Sequence, residues 1–346
     1  MKRILLLLIS LLAVSSLLCS CSEPQPQTQV KSYYEYFDTV SAVFSYKGDD
    51  PTEFEENCAA VEEILKEYHR LLDIYYEYDG INNIKTINDN AGKEAVKVDK
   101  KIVEFLLYCK ELYALTDGET NIAMGAVLTL WHDARETAET DPKAAVLPSA
   151  EELHSASEHT DIDDIIIDEE GSTVYLADPL MSIDVGAIGK GYAAEKAAQI
   201  LISRGVTSYV LNIGGNIRAI GAKPNGKGWE TGITNPDKNS DQPFVCRVMV
   251  KATSLVTSGD YERYFTVNGK NYHHIIDKDT NMPSEHFSSV SVFAADSGLA
   301  DALSTALFCM SYEDGSALIS RIGGIKAIWV SPDGSVKMTD GITFSE

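Results

Sequence analysis

Three groups of residues carry the types and spacings that could do chemistry. Asp301 and Thr305 stand four apart in Asp301-Ala302-Leu303-Ser304-Thr305, so on a helix their oxygens share one face with Ser304 beside them. A carboxylate with hydroxyls suits a hard cation such as Mg2+, which keeps water and phosphate among its ligands. The same string also fits a helix-start acid favoured by the dipole and a threonine bonded back to its own turn. Asp184-Val185-Gly186-Ala187-Ile188-Gly189-Lys190-Gly191 is a glycine-rich turn entering a helix. Its amides and lysine could cradle phosphate, or its glycines could serve the turn alone. It is not a Walker A loop, because Asp184 stands where the first glycine belongs and Gly191 follows the lysine; nor does its glycine order match the dinucleotide fingerprint. His273 and His274 alternate on a strand, so only one faces a given site. His274, at the strand end, could be a general base for a hydroxyl or a half-buried hydrogen-bonded imidazole. Ser258 lacks the Gly-x-Ser-x-Gly context of a hydrolase nucleophile, and His69, His132, His154 and His159 read as solvated.

The elements that must position these groups are legible from periodicity. Val61, Ile64, Leu65, Tyr68 and Leu72 recur at threes and fours, predicting a helix over Glu53 to Leu72. A second helix opens at Asp99 and stops before Gly118, Ser149 with Glu152 forms a capping box, and a third long helix over Tyr192 to Arg204 ends at Gly205. Tyr34 to Tyr46, Ile165 to Ile167, Thr173 to Leu176 and Ser182 to Asp184 read as strands. Ser208 to Ile213 and Asn216 to Ile220 flank Gly214-Gly215, and Tyr261 to Val267 and Lys270 to Ile276 flank Asn268-Gly269, a strong hairpin signal. Asn82 to Gly92 reads as a loop and Trp131 to Pro148 as a surface excursion. The last helix is expected over Gly298 to Met310, before a hairpin of Ile325 to Val330 with Val336 to Thr339. Hairpins outnumber βαβ units, so the fold class is α+β.

The chain has 346 residues, 44% of them hydrophobic, enough for one large core or two modest ones. With 52 acids against 29 Lys and Arg the formal charge is −23, which disfavours nucleic acid as a partner and requires a local cation for any phosphorylated ligand. Lys2 and Arg3 precede the apolar run Ile4 to Leu18, the order of a secretory signal peptide. Leu18-Cys19-Ser20-Cys21 resembles a bacterial lipobox with Cys21 the lipidated residue. Residues 1–20 are thus expected to be a signal peptide and 21–32 a polar, proline-bearing tether. The body then spans 33–346, outside the bacterial membrane and held to it by lipid. Cys58, Cys109, Cys246 and Cys309 are widely spaced in apolar stretches and read as buried thiols.

Taken together, Asp184 to Tyr192, Asn212 to Arg218, Thr257 to Tyr264, His274 to Asp277 and Asp301 to Leu307 resemble, in order and spacing, five blocks of the ApbE family of FAD:protein FMN transferases. The resemblance runs from about Phe37 to the C-terminus. It implies a T-fold-like α+β architecture of antiparallel sheet with packed helices. It implies Mg2+-dependent cleavage of the FAD pyrophosphate, transfer of FMN to a Ser or Thr of a client protein, and release of AMP. By block, Asp301 and Thr305 would ligate Mg2+ with the backbone oxygen of Ala187, and Ser304 would add a contact. Asp184, Lys190 and the backbone near Ile275 would hold FAD, and His274 would activate the acceptor hydroxyl. Tyr78 falls on an FAD-contacting tyrosine, and Glu119, Thr120 and Asn121 fall on a segment lining the FAD site, where relatives carry Ala-Phe-Asp. Phe37-Asp38-Thr39 stands where relatives usually have Met-Gly-Thr, so an aromatic replaces the methionine that touches FAD.

The clients implied are extracytoplasmic flavoproteins of electron transport. Two rival readings share these residues: an FAD pyrophosphatase yielding FMN and AMP, and a non-catalytic flavin-binding lipoprotein.

Overall fold

A computed structural model describes residues 28–46 and 48–345; the expected leader, Cys21 and most of the tether lie outside the described residues. In chain order the elements are β1 (Thr28–Tyr33), β2 (Ser41–Tyr46), α1 (Pro51–Leu71), α2 (Ile84–Asp89), β3 (Val96–Lys97), α3 (Lys100–Leu115), α4 (Gly125–Thr140) and α5 (Ala150–Ser157). There follow β4 (Ile165–Asp168), β5 (Thr173–Leu176), α6 (Gly189–Ser203), β6 (Ser208–Ile213), β7 (Asn216–Gly221), β8 (Trp229–Thr234), β9 (Phe244–Val250) and β10 (Ser254–Gly259). The chain closes with β11 (Tyr264–Val267), β12 (Lys270–His273), β13 (Ser289–Ala294), α7 (Ser297–Cys309), α8 (Tyr312–Ile322), β14 (Lys326–Val330) and β15 (Val336–Met338).

Eight strands form one antiparallel sheet in the order β1-β2-β6-β7-β10-β13-β14-β15. Strand alternation sends Val43, Leu211 and Ile213 toward α1 and α6, and Val256, Val290, Val292 and Trp329 toward α7 and α8. The opposite face carries Tyr46, Val210, Leu255, Phe293 and Ile328 against Trp229, Val248 and Val250 of the β8–β9 hairpin. Because both faces are covered, all six residues of β13 are buried. Each fully buried aliphatic there contributes roughly 1.5–3 kcal/mol. A satellite core packs α4 and α5 against the β11–β12 hairpin through Trp131, Leu153 and Phe265, and Trp131 Nε1 donates to Asn281 O at 2.9 Å.

Local sequence accounts for the helix ends. Asp50 caps α1 ahead of Pro51, Asp99 caps α3, and Ser149 with Glu152 makes the expected capping box of α5. Gly205 sits at φ +88° just past α6, the left-handed stop that glycine permits.

Several expectations need correction. Thr28–Ser32, expected as the end of the tether, pairs with β2 together with Tyr33 as an edge strand, and the strand expected over Tyr34 to Tyr46 is confined to Ser41–Tyr46, after a turn. Phe37 and Asp38 in that turn both hold left-handed φ values, 58° and 50°. The Asn-rich loop contains α2, capped reciprocally by Asn83 and Thr86. The excursion after Trp131 is largely helix α4, with Trp131 itself buried. Ser182–Asp184 reduces to one bridge between Met124 and Ser182, and α8 follows the helix expected to be last because Ser311 with Asp314 caps it. Cys58, Cys109 and Cys309 are buried free thiols as expected, whereas Cys246 is only half-buried. His69, His132 and His159 are half-buried and partnered rather than solvated. Among the described residues no helix is long and apolar enough to cross a membrane.

Candidate active site

Asp301 lies on the second turn of α7 and is buried. Its Oδ2 accepts the backbone N–H of Gly191 at 2.8 Å and Nδ2 of Asn216 at 2.9 Å. Oδ1 accepts no hydrogen bond among the described residues. Burial raises the carboxyl above its ordinary range, and nearby Lys190 opposes that shift. Close approach of α6 to α7 makes this corner possible: a Cβ on Gly191 would lie 2.3 Å from Ser297 O and 2.5 Å from Asp301 Cβ. That contact explains why glycine follows Lys190.

One turn along α7, Ser304 Oγ donates to Asp301 O at 2.9 Å and meets Ser258 Oγ at 2.8 Å; Thr305 Oγ1 is 3.5 Å from the same Ser258 oxygen. Three hydroxyls therefore cluster about one helical turn from the buried Asp301 carboxylate. An all-oxygen donor set of this kind fits a hard divalent cation such as Mg2+, and the buried Asp301 charge, with Oδ1 free, gives it an anchor. No group of three or more His, Cys, Asp and Glu suited to a metal occurs among the described residues.

The glycine-rich turn adjoins this corner. Asp184 Oδ1 accepts the N–H of Gly186 at 2.8 Å, and burial raises its carboxyl against the opposing influence of Gly186, His132, Lys190 and Arg135. Ala187 is half-buried within the turn. Lys190 makes a long 3.4 Å hydrogen bond to Gly186 O.

His274 follows β12 directly. Its Nδ1 lies 3.2 Å from Arg263 O; since a carbonyl only accepts, Nδ1 carries the proton and Nε2 the lone pair. Burial, with Arg263 and Lys190 next, pushes its pKa down to about 3, so the imidazole is neutral. Ile275 is already bonded within the protein, its N–H to His273 Nδ1 at 3.2 Å and its carbonyl to Ser284 N at 3.1 Å. A ligand would share that carbonyl through its second lone pair.

The remaining predicted residues sit elsewhere. Phe37 meets the edge of His69 at 5.6 Å between ring centres and donates its N–H to His69 Nδ1 at 3.3 Å. Tyr78 donates to Asp73 Oδ2 at 2.7 Å with His69 Nε2 at 3.3 Å, and its hydroxyl is pushed up to about 12 by burial and by Asp73. Tyr36, Lys66, His69, Arg70 and Tyr78 border a hollow of about 380 Å3. Glu119 is raised by burial and lies 3.4 Å from Lys278. The Thr120 hydroxyl is buried and donates to Ala302 O at 2.9 Å, while Asn121 bonds Thr160 O and Ala123 N. The side chains of Thr120 and Asn121 therefore serve the fold.

Asn216 and Ser258 fall within the family-like sequence blocks, yet sequence alone assigns neither a role. Strand alternation was the available signal, since it turns Asn216 and Arg218 to one face of β7.

A buried carboxylate with hydroxyls a turn away, a lysine-bearing turn at a helix start and a neutral histidine are the kinds of group that an enzyme site for a phosphorylated ligand uses. The ApbE family model matches residues 37–329. The FAD:protein FMN transferase of Treponema pallidum is 34% identical over 273 residues, 75% of this chain and 73% of that protein. The crystal structure of the Thermotoga maritima ApbE protein superimposes with a TM-score of 0.78 at 28% identity, covering 91% of this chain and 97% of that one. The apo flavinyl transferase ApbE of Pseudomonas stutzeri gives 0.73 at 26% identity, covering 92% and 96%. The chain belongs to the ApbE family, and its α+β fold is that of these flavin transferases.

Proposed function

We propose that this chain transfers FMN from FAD to a Ser or Thr hydroxyl of a client flavoprotein, forming a phosphoester and releasing AMP, with Mg2+ as cofactor. The observation that carries the reading is the oxygen corner of Asp301, Ser304, Thr305 and Ser258 beside the Lys190 turn, in a chain whose relatives bear that activity in their names.

Asp301 and Thr305 would hold Mg2+ with Ala187 O, and Ser304 would contribute through its hydroxyl. A bound Mg2+ would polarise the pyrophosphate and stabilise charge on the departing AMP. Lys190 and the amides starting α6 would add the local positive charge that a chain of net charge −23 otherwise lacks. Asp184 and the Ile275 carbonyl would orient FAD, and Phe37, Tyr78 and the Glu119–Asn121 segment would border it. His274 Nε2, with its lone pair free, would take the acceptor proton as the oxygen attacks phosphorus and the bond to AMP breaks. The histidine is a weak base at a pKa of about 3. Substrate phosphates facing Lys190 and Arg263 would offset the two charges that depress it, raising its pKa when FAD is bound.

The location proposed is the outer face of the bacterial membrane, held by lipid on Cys21, with extracytoplasmic flavoproteins of electron transport as clients; the leader Lys2 to Cys21 supports it. Cys21→Ala should move the protein from the membrane to the soluble fraction, and unchanged membrane retention would refute the anchor.

The activity test incubates the chain from Ser22 onward with FAD, Mg2+ and an acceptor domain, followed by the acceptor's intact mass. A gain of one FMN, abolished by EDTA, is expected. Free FMN and AMP with an unmodified acceptor would instead establish a pyrophosphatase, and unchanged FAD a binder.

A further inference from the structure

Behind Asp301 lies a second buried carboxylate that the chemistry above leaves unused. Glu195 of α6 and Arg218 of β7 are both buried. Arg218 Nε donates to Glu195 Oε2 at 2.8 Å and Nη2 to Oε1 at 3.4 Å, and the same Oε2 accepts the backbone N–H of Ser297 at 3.1 Å. Ser297 is the first residue of α7, so Glu195 satisfies one of the helix's unpaired amides.

This arrangement repeats the one at Asp301. There a carboxylate of α7 takes a first-turn amide of α6, from Gly191, and a side chain of β7, from Asn216. At Glu195 a carboxylate of α6 takes the first amide of α7 and a side chain of β7. Gly191 and Glu195 are four apart on α6, Ser297 and Asp301 four apart on α7, and Asn216 and Arg218 two apart on β7. The two tiers therefore lie one helical turn apart along both helices, and each helix start is closed by the other helix's acid.

We propose that Glu195 and Arg218 are a positioning pair for the metal corner, fixing the rotation and height of α7 so that Asp301 Oδ1, Ser304 and Thr305 converge. The inference rests on the reading of Asp301 as a metal ligand. One tier pins α7 at a point and leaves it free to turn about that point. Two tiers a turn apart remove that freedom. Stability alone is a poor reason for the pair, since a buried ion pair is commonly matched or bettered by apolar residues of similar volume.

That last point supplies the test. Mn2+ is the probe, with FAD present and free Mn2+ read by electron paramagnetic resonance, on wild type, Asp301→Ala and the double variant Glu195→Met with Arg218→Met. The double variant should fold with a melting temperature near that of wild type, yet bind Mn2+ at least about tenfold more weakly, as removal of outer-shell partners does elsewhere. A folded double variant that binds Mn2+ like wild type, while Asp301→Ala does not bind, would overturn the positioning role and leave the metal site standing. Equal binding by wild type and Asp301→Ala would remove the metal reading and the positioning pair with it. If the double variant does not fold, Glu195→Gln keeps the volume and one oxygen for Arg218 Nε and the Ser297 N–H, but it loses the charge and sets an NH2 donor against Arg218 Nη2, where the carboxylate's second oxygen accepts. It should bind Mn2+ about tenfold more weakly, and wild-type binding in that variant would equally overturn the proposal.

Discussion

The corner proposed to hold the metal and the edge proposed to border the flavin, called below the metal corner and the flavin edge, are built on opposite plans. At the corner, two helix starts and one strand converge on Asp301, and its partners Gly191 N–H and Asn216 are held by buried secondary structure. At the edge, Phe37 and Tyr78 project from turns and share one half-buried histidine, His69. The first region is fixed by buried secondary structure; the second is set by side chains around one half-buried ring. Phosphoryl chemistry needs charge placed in advance, whereas holding a large planar ring tolerates several side-chain solutions. The contrast explains how an Asp301-x-x-Ser304-Thr305 string can coexist with Phe37 in a place where relatives usually have methionine.

The sharpest way to break the contrast is Asp301→Ala. Loss of the anchoring carboxylate should reduce FMN transfer by about 10³-fold or more, the several kcal/mol that a polarising ion supplies, with circular dichroism unchanged. Heat adds a second readout. Burial raises Asp301, so in metal-free protein its contribution is present below the ordinary carboxylate range and is lost as pH rises through the folded value. As proposed, Mg2+ would bind the ionised form and should raise the melting temperature more at pH 7.5 than at pH 5. Asp301→Ala should lose that increment, and an equal Mg2+ effect in the variant would place the ion elsewhere.

Next in size is a pair of glycines in one turn. Gly191→Ala should destabilise by about 1–3 kcal/mol through overpacking, since the new Cβ meets backbone at 2.3 Å, and transfer should fall with it. Gly186→Ala meets only Asp184 Oδ1 at 3.1 Å, so its melting temperature should stay close to wild type. Equal effects at both positions would mean that α6 and α7 adjust freely and the corner is not preorganised.

The sequence made the corner far more legible than the edge, for a physical reason. Asp301 with Thr305 and the Asp184–Gly191 turn are local strings whose geometry follows from helix period and glycine. The tiers that fix them join residues far apart in the chain, Gly191 to Asp301 and Glu195 to Arg218, and no local pattern announces such pairings. Likewise α1 and α3 were evident from apolar period and caps. The helix α4 was hidden because its C-terminal half is acidic and polar and after Trp131 only the small Ala134 and Ala138 mark the buried face. Strands β8, β9, β10 and β13 drew no expectation; β13 does alternate Ser289-Val290-Ser291-Val292, but both its faces are covered, so its burial is set by distant elements rather than by that pattern.

A smaller effect tests His274, which lies near Lys190 and Arg263. With a pKa near 3 in free protein, His274 should leave the kcat/KM profile without an inflection near 6.5. The acid limb of kcat, set by the FAD complex, should lie at higher pH than that of kcat/KM. For stability the sign is definite: the folded value lies below the unfolded one, so the unfolded chain binds the extra proton and stability falls as pH drops from about 6.5 toward 3. His274→Ala should flatten that part of the melting-temperature profile. An inflection near 6.5 in kcat/KM that vanishes in the variant would show that the imidazole is exposed and easily protonated, contrary to its burial.

The smallest expected effect lies at the flavin edge and decides how loose that region is. Phe37→Met restores the residue usual in relatives and removes an edge contact to His69 worth about 0.5–1.5 kcal/mol. The backbone bond from Phe37 N–H to His69 Nδ1 is independent of side chain and should persist, holding the turn at its left-handed φ. Titrating FAD against flavin fluorescence should therefore show a change in affinity of no more than about tenfold, the equivalent of that contact. A loss approaching a thousandfold would mean that the Phe37 ring is itself a principal flavin contact. The edge would then be held to a single geometry as strictly as the metal corner, and the difference between the two regions would lie in their exposure to solvent rather than in their preorganisation.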